Sequence, residues 1–345
     1  MTRRVDQILS WYPSDDRTTR ANLRRILSQG RTGGSGKLVV LPVDQGFEHG
    51  PGRSFAPNPA GYDPRYHARL AIDAGCSAHA LPLGAARLVA PEYAEDLPLI
   101  LKCNSADGLY VGADPQPAVV AGVEEALALR CAAVGFTIYP GSAHRNEMYE
   151  QARSLARDAD AAGLPLVLWS YPRGSGVSDT GRTAVDVVAY AAHLACQLGA
   201  HIVKVKPPTE NLESEAARSA LERAGVPLDT LADRVRHVVQ SAFDGHRIVI
   251  FAGGAAKETA AVLEENRQTA MGGGFGTIMG RNSFQRPHDE AVHLLGNVMD
   301  IHLTTHALDD PPDQRSRKST SPAFGTTNVP PSASAAARST VSGSR

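Results

Sequence analysis

The chain has 345 residues, with 35 Lys and Arg set against 36 Asp and Glu. That balance offers no basic field for nucleic acid and no attraction to an anionic membrane surface. No apolar run approaches the ~20 residues that span a bilayer, and the opening Met-Thr-Arg-Arg-Val-Asp-Gln lacks the apolar core of a secretory signal. Cys76, Cys103, Cys131 and Cys196 are far apart, match no metal or redox spacing, and are expected as reduced core residues of a cytoplasmic protein.

Along the chain, residues 1–35 precede the first strand, and 5–27 is partly helical, placed to close one end of the fold. Eight short apolar segments then read as strands: 38–46, 78–84, 97–105, 132–141, 164–174, 200–208, 246–254 and 274–282. Helical spacing recurs between them, at 115–130, 142–162, 184–198, 231–243 and 258–265. Strands that are apolar throughout and alternate with helices imply a parallel sheet covered on its outside. Eight such units fit a single-domain α/β fold, a (β/α)8 TIM barrel over 36–308, better than an open sheet. Residues 309–345 are Ser, Thr, Ala, Pro and Arg with almost no large apolar groups. Such a tail cannot bury enough surface to offset chain entropy, and disorder is expected.

Chemistry in such a barrel sits where strands run out at their C-terminal ends, and the polar residues concentrate there. The run Ala200-His-Ile-Val-Lys-Val-Lys ends in Lys204 and Lys206, which share one face of a strand. Asp44, Lys102 and Asn104, and Trp169, Tyr171 and Arg173 fall at other strand ends, on inward-facing registers. A desolvated lysine has a lowered pKa and can attack a carbonyl. A carboxylate or phenol within reach supplies the acid and base that Schiff-base chemistry needs. Each residue also has a plainer reading: snorkelling lysines, a buried Asp44–Lys102 or Asp44–Lys206 ion pair, and Trp169 and Tyr171 as core rings. Gly253-Gly254 after strand seven and Gly280-Arg281 after strand eight suit a phosphate, bound through backbone N–H groups and a guanidinium. The histidines show no zinc spacing. Asp44 and Glu48 hint at paired carboxylates, but no sugar-binding aromatic set accompanies them. No nucleophile elbow, P-loop or dinucleotide fingerprint is present.

Taken together, Leu-Pro-Val-Asp44-Gln-Gly-Phe-Glu-His49-Gly-Pro, Trp169-Ser-Tyr171-Pro-Arg173-Gly, Gly-Ala-His-Ile-Val-Lys204-Val-Lys206, Gly253-Gly254 and Ile-Met-Gly280-Arg281-Asn resemble the archaeal and bacterial branch of the class I fructose-bisphosphate aldolases. The likeness covers roughly residues 36–305. It implies a Schiff base on Lys204, a general acid/base at Tyr171 and a carboxylate at Asp44. Trp169, Arg173, Lys102 and Lys206 are implied at the substrate, and Gly253, Gly254, Gly280 and Arg281 at phosphate. The family is cytoplasmic, homo-oligomeric and metal-independent, uses no cofactor, and acts on phosphorylated sugars. His201 stands where the motif has aspartate, a departure expected to have no consequence. Two alternatives remain open at this stage: a lyase or transferase for another phosphorylated keto compound, with residues 48–66 shaping the acceptor pocket, or a silent phospho-ligand-binding barrel.

Overall fold

Segments that are apolar at every position can be buried on both faces, and all eight are used in that way. In the computed structural model, which describes residues 2–109, 112–254 and 256–308, eight parallel strands close into a barrel. They are β1 (Leu38–Pro42), β2 (Ala78–Pro82), β3 (Leu99–Lys102), β4 (Ala133–Ile138), β5 (Leu166–Ser170), β6 (Ile202–Val205), β7 (Ile248–Ala252) and β8 (Gly276–Ile278). Each strand pairs with its neighbours in sequence, and β1 pairs with β8 to close the ring. Every strand begins within two residues of its expected start and stops two to four residues early. The residues beyond the strand ends, among them Asp44, Tyr171, Arg173, Lys206 and Arg281, leave the ladder and enter the loops and short helices that follow. The expected tail, 309–345, lies outside the described residues.

Alternation along the strands divides the core in two. Val39, Leu41, Leu99, Leu101, Leu166, Leu168, Val203, Val205, Val249 and Phe251 pack outward in a cluster shared with the helices. Val40, Ile100, Val167, Trp169, Ile202, Ile250 and Ile278 form a second cluster that fills the barrel. Trp169 is the largest fully buried side chain, and Gly135 on β4 makes room for it. A Cβ at Gly135 would stand 2.5 Å from the indole Cζ3.

The expected helix over 115–130 is mostly something else. Ala118–Val119 pairs antiparallel with Asn104–Ser105, and only Val123–Ala128 is helical. Pro115 and Pro117 explain the difference, because proline restricts the residue before it and removes a donor.

The N-terminal stretch folds into α1 (Arg3–Leu9) and α2 (Arg17–Ser28), which close the N-terminal end of the barrel. Asp16 caps α2 by accepting the Thr19 N–H at 2.6 Å. Ile8, Leu23, Ile26 and Leu27 are wholly buried in the cluster that fills the barrel, each contributing roughly 1.5–3 kcal/mol of apolar burial. His201 ties this cap to the strands, so its departure from the family motif does have a consequence. Its Nδ1 accepts the Leu166 N–H at 3.0 Å, so Nε2 carries the proton and donates to Asp15 at 2.9 Å. Tyr12 stacks on the same ring and donates its hydroxyl to the His201 carbonyl at 2.7 Å.

Two other buried histidines are held neutral. His67 donates from Nε2 to the Gly61 carbonyl, and His79 from Nδ1 to that of Leu41, both at 2.8 Å. Burial pushes each imidazole down to about 4. The unfolded chain takes up these protons below about pH 6.5 and the folded chain does not until near pH 4. Stability is therefore complete above pH 6.5 and falls between 6.5 and 4, by up to about 3 kcal/mol per histidine. Urea midpoints measured at pH 7.5 and 4.5 should differ accordingly, and His79→Gln should flatten the slope even where it lowers stability.

Candidate active site

The barrel's alternation carries the inward registers of several strands to one opening. Asp44 at the end of β1, Trp169, Tyr171 and Arg173 from β5 and its loop, and Lys204 and Lys206 from β6 all line it. So do Gly253 and Gly254 after β7, and Gly280 and Arg281 after β8. A shallower hollow beside Tyr149, Arg153 and Arg157 lies on the helix Arg145–Ala162, away from the strand ends.

Lys102 is the one expected member kept out. It is wholly buried and absent from the cavity lining. Its ammonium donates to the Asn104 carbonyl and, at 3.3 Å, to Asn104 Oδ1, and lies 5.5 Å from the centroid of the Trp169 ring. Asn104 is itself fixed to β4, accepting the Thr137 N–H at 2.6 Å and donating to the Thr137 carbonyl at 2.8 Å. Lys102 can therefore act on the cavity through its charge and not by contact.

Lys204 is 5 % exposed. Its Nζ lies 5.2 Å from the Trp169 ring centroid and 5.5 Å from that of Tyr171. Burial among these rings pushes its pKa down to about 8, with help from Lys102 and Arg281 and against the pull of Asp44 and Glu48. An amine with that value is neutral in about one molecule in ten at pH 7, against roughly one in a few thousand for an ordinary lysine. Tyr171 shifts the other way. Burial first, then the charges of Asp44 and Glu48, push its phenol well above the ordinary value, so it holds its proton. Lys206 is also lowered, by burial and by Arg173, Arg182 and Arg281. Lys206, Arg173 and Arg281 all line the opening, a good setting for an anion.

On the other side the chain passes close to itself. A Cβ at Gly280 would stand 2.7 Å from Gln45 Nε2 and 2.9 Å from the Pro42 carbonyl oxygen, so only glycine fits. Asn282 joins the two glycine loops, donating to the Gly253 carbonyl at 2.9 Å and accepting the Lys257 N–H at 2.8 Å. Backbone amides and Arg281 at such a place can hold a phosphate. Among the described residues, no group of three or more His, Cys, Asp or Glu is arranged to hold a metal ion.

Gln45, Glu48 and His49 also line the opening; the sequence reading gave Gln45 and His49 no role and set the Asp44–Glu48 pair aside for want of sugar-binding aromatics. They sit on a short helix, α3 (Gln45–His49), that starts directly at Asp44. Burial and the cations Arg281, Arg53 and Arg173 push the His49 imidazole down.

The chain is similar to several described proteins. A Chlamydia muridarum protein described as a probable class 1 fructose-bisphosphate aldolase is 36% identical over 304 residues, covering 85% of this chain and 87% of that one. The Halobacterium salinarum class 1 fructose-bisphosphate aldolase is 35% identical over 256 residues, covering 74% and 87%. A solved archaeal fructose-1,6-bisphosphate aldolase, with its catalytic lysine covalently bound to the carbinolamine intermediate, superposes with a TM-score of 0.68 at 33% identity. That match covers 82% of this chain and 99% of the archaeal one. The family model for DeoC/LacD aldolases matches residues 38–286, from the first barrel strand to beyond the last. The chain is a member of the DeoC/LacD aldolase family.

Proposed function

We propose that this protein is a class I fructose-bisphosphate aldolase, reversibly cleaving fructose 1,6-bisphosphate to dihydroxyacetone phosphate and glyceraldehyde 3-phosphate through a Schiff base on Lys204. The observation that supports it best is the Lys204 amine, buried against Trp169 and Tyr171 on the cavity floor with its pKa pushed down to about 8. The neutral amine attacks the C2 carbonyl, and loss of water from the carbinolamine gives an iminium. The C4 hydroxyl then gives up its proton to Asp44 as the C3–C4 bond breaks, and the bond electrons flow into the iminium to form an enamine. Glyceraldehyde 3-phosphate leaves, a proton from Tyr171 reaches C3 of the enamine, and Asp44 restores the Tyr171 proton. Water then hydrolyses the iminium to free dihydroxyacetone phosphate.

One phosphate sits at Gly253, Gly254, Gly280 and Arg281, and the other is taken by Lys206 and Arg173 across the opening. Lys102 contributes by helping to keep Lys204 neutral. The chemistry belongs to glycolysis and gluconeogenesis, in the cytoplasm, and the protein works as a homo-oligomer. Residues 1–35 form the cap, 36–308 the aldolase barrel and 309–345 an appended tail.

Reduction with borohydride in the presence of dihydroxyacetone phosphate should add the mass of the reduced adduct to the peptide containing Lys204. Lys204→Met should abolish both adduct and cleavage, in assays run with chelator present. Label on Lys206 instead would reassign the nucleophile. Because the amine must be neutral in the free enzyme, kcat/KM should fall about tenfold per pH unit below about 8 and level off above it. A profile that stays flat from pH 6 to 9 would contradict this.

A further inference from the structure

Two segments of chain are bound to each other beside the opening. The Tyr171 N–H donates to the Ile138 carbonyl at 3.1 Å, the Arg173 N–H to that of Pro140 at 2.9 Å, and the Gly176 N–H to that of Gly141 at 2.9 Å. These bonds join the loop after β5 to the end of β4 and the loop that follows it. Gly174 takes a φ of +113°, and a Cβ there would stand 2.4 Å from the Ser142 Cα, so the two backbones meet too closely for any side chain. The backbone of Arg173 is thereby fixed, and only its side chain is left to find a position.

That side chain reaches the opening and rests on rings. Its guanidinium carbon lies 5.2 Å from the Tyr139 ring centroid and 5.9 Å from that of Tyr171, inside the range of a cation–π contact. Among the described residues the guanidinium makes no hydrogen bond or ion pair, so none of its N–H donors is spent on an oxygen. Glu48 attracts its charge and Lys206 repels it, and a long flexible arginine between two such groups has no single resting place. Ring faces supply one, because they attract the cation without consuming the donors that bind a phosphate. Tyr139 stands just past β4 and is 2 % exposed. Its hydroxyl bonds to nothing among the described residues, so the ring is the part in use. Tyr139 also packs in the outer apolar cluster, which gives a plainer role in the core against which the ring contact must be tested.

We propose that Tyr139 is a positioning residue for the far phosphate, holding Arg173 over the opening so that the site prefers sugar bisphosphates to monophosphates. The assignment rests on the aldolase reading above, in which Lys206 and Arg173 take that phosphate. Tyr139 touches no reacting atom, and the phosphate it serves lies at the end of the sugar away from Lys204. Its effect therefore belongs to substrate binding and not to bond breaking. A flat ring is required and a hydroxyl is not, while an aliphatic side chain fills the space without offering a π face.

The test compares fructose 1,6-bisphosphate with fructose 1-phosphate, which lacks the far phosphate and so cancels any general loss of folding or activity. Tyr139→Leu should raise KM for the bisphosphate about tenfold, with kcat within about threefold and KM for the monophosphate within about twofold. Tyr139→Phe should match wild type with both sugars. In an Arg173→Ala background, Tyr139→Leu should add nothing further to the bisphosphate KM, because the ring acts only through that guanidinium. Equal KM shifts for the two sugars would overturn the assignment and return Tyr139 to the core. A Phe variant as impaired as the Leu variant, or additive losses in the double variant, would overturn it too. A wild-type protein that cleaves neither sugar would instead sink the aldolase reading, and the far phosphate with it.

Discussion

The site depends on how much water is kept from one amine. A lone ammonium sealed inside a barrel can lose three to five pKa units, because burial penalises its charged form. Lys204 settles at about 8 because Asp44 and Glu48 oppose its desolvation, while Lys102 and Arg281 add to it. The balance is worth about 3 kcal/mol between charged and neutral forms. It needs carboxylates near enough to matter and not so near that an ion pair holds the proton in place, since direct pairing would restore the ordinary lysine value.

That separation is built from packing and not from loops. The ammonium groups of Lys204 and Lys102 both lie within 5.5 Å of the Trp169 ring centroid, and the indole fits there because β4 offers Gly135 in place of a side chain. Below it the interior is filled by Val40, Ile100, Val167, Ile202 and Ile250, so water cannot reach the amine from beneath. The N-terminal helices finish the seal at the far end, and the Asp15–His201–Leu166 chain of hydrogen bonds holds them to β5 and β6. That chain of bonds reaches a residue only three before Lys204. Among the loops, Asn282 ties the two glycine turns together.

Alternation and strand order were enough to place ten of the eleven expected side chains and glycines around one opening. Period two along an apolar strand leaves little freedom about which residues face inward, and a closed barrel brings all inward faces to one axis. Lys102 shows where this reasoning stops: it has the right register, but it bends back to Asn104 and lies too deep to reach the opening. Glu48 shows the converse. Its backbone leaves the strand at Asp44, so period two misplaces it and only the helical turn brings it beside Asp44. His201 was legible as a departure from a motif but not as a structural tie, because its partners lie 186 and 35 residues away in sequence.

By itself, then, the order of residues determined the eight-stranded architecture and the strand ends where the polar groups gather, because these follow from local periodicity and the high cost of burying charge, while the choice of Lys204 over Lys206 came from the family resemblance. Tertiary structure alone decided which charges line the cavity and which lie buried beneath it, and what closes the barrel's far end. Those depend on distances of a few ångströms between residues remote in the chain, and Coulomb energy and solvent exclusion both vary steeply over such distances.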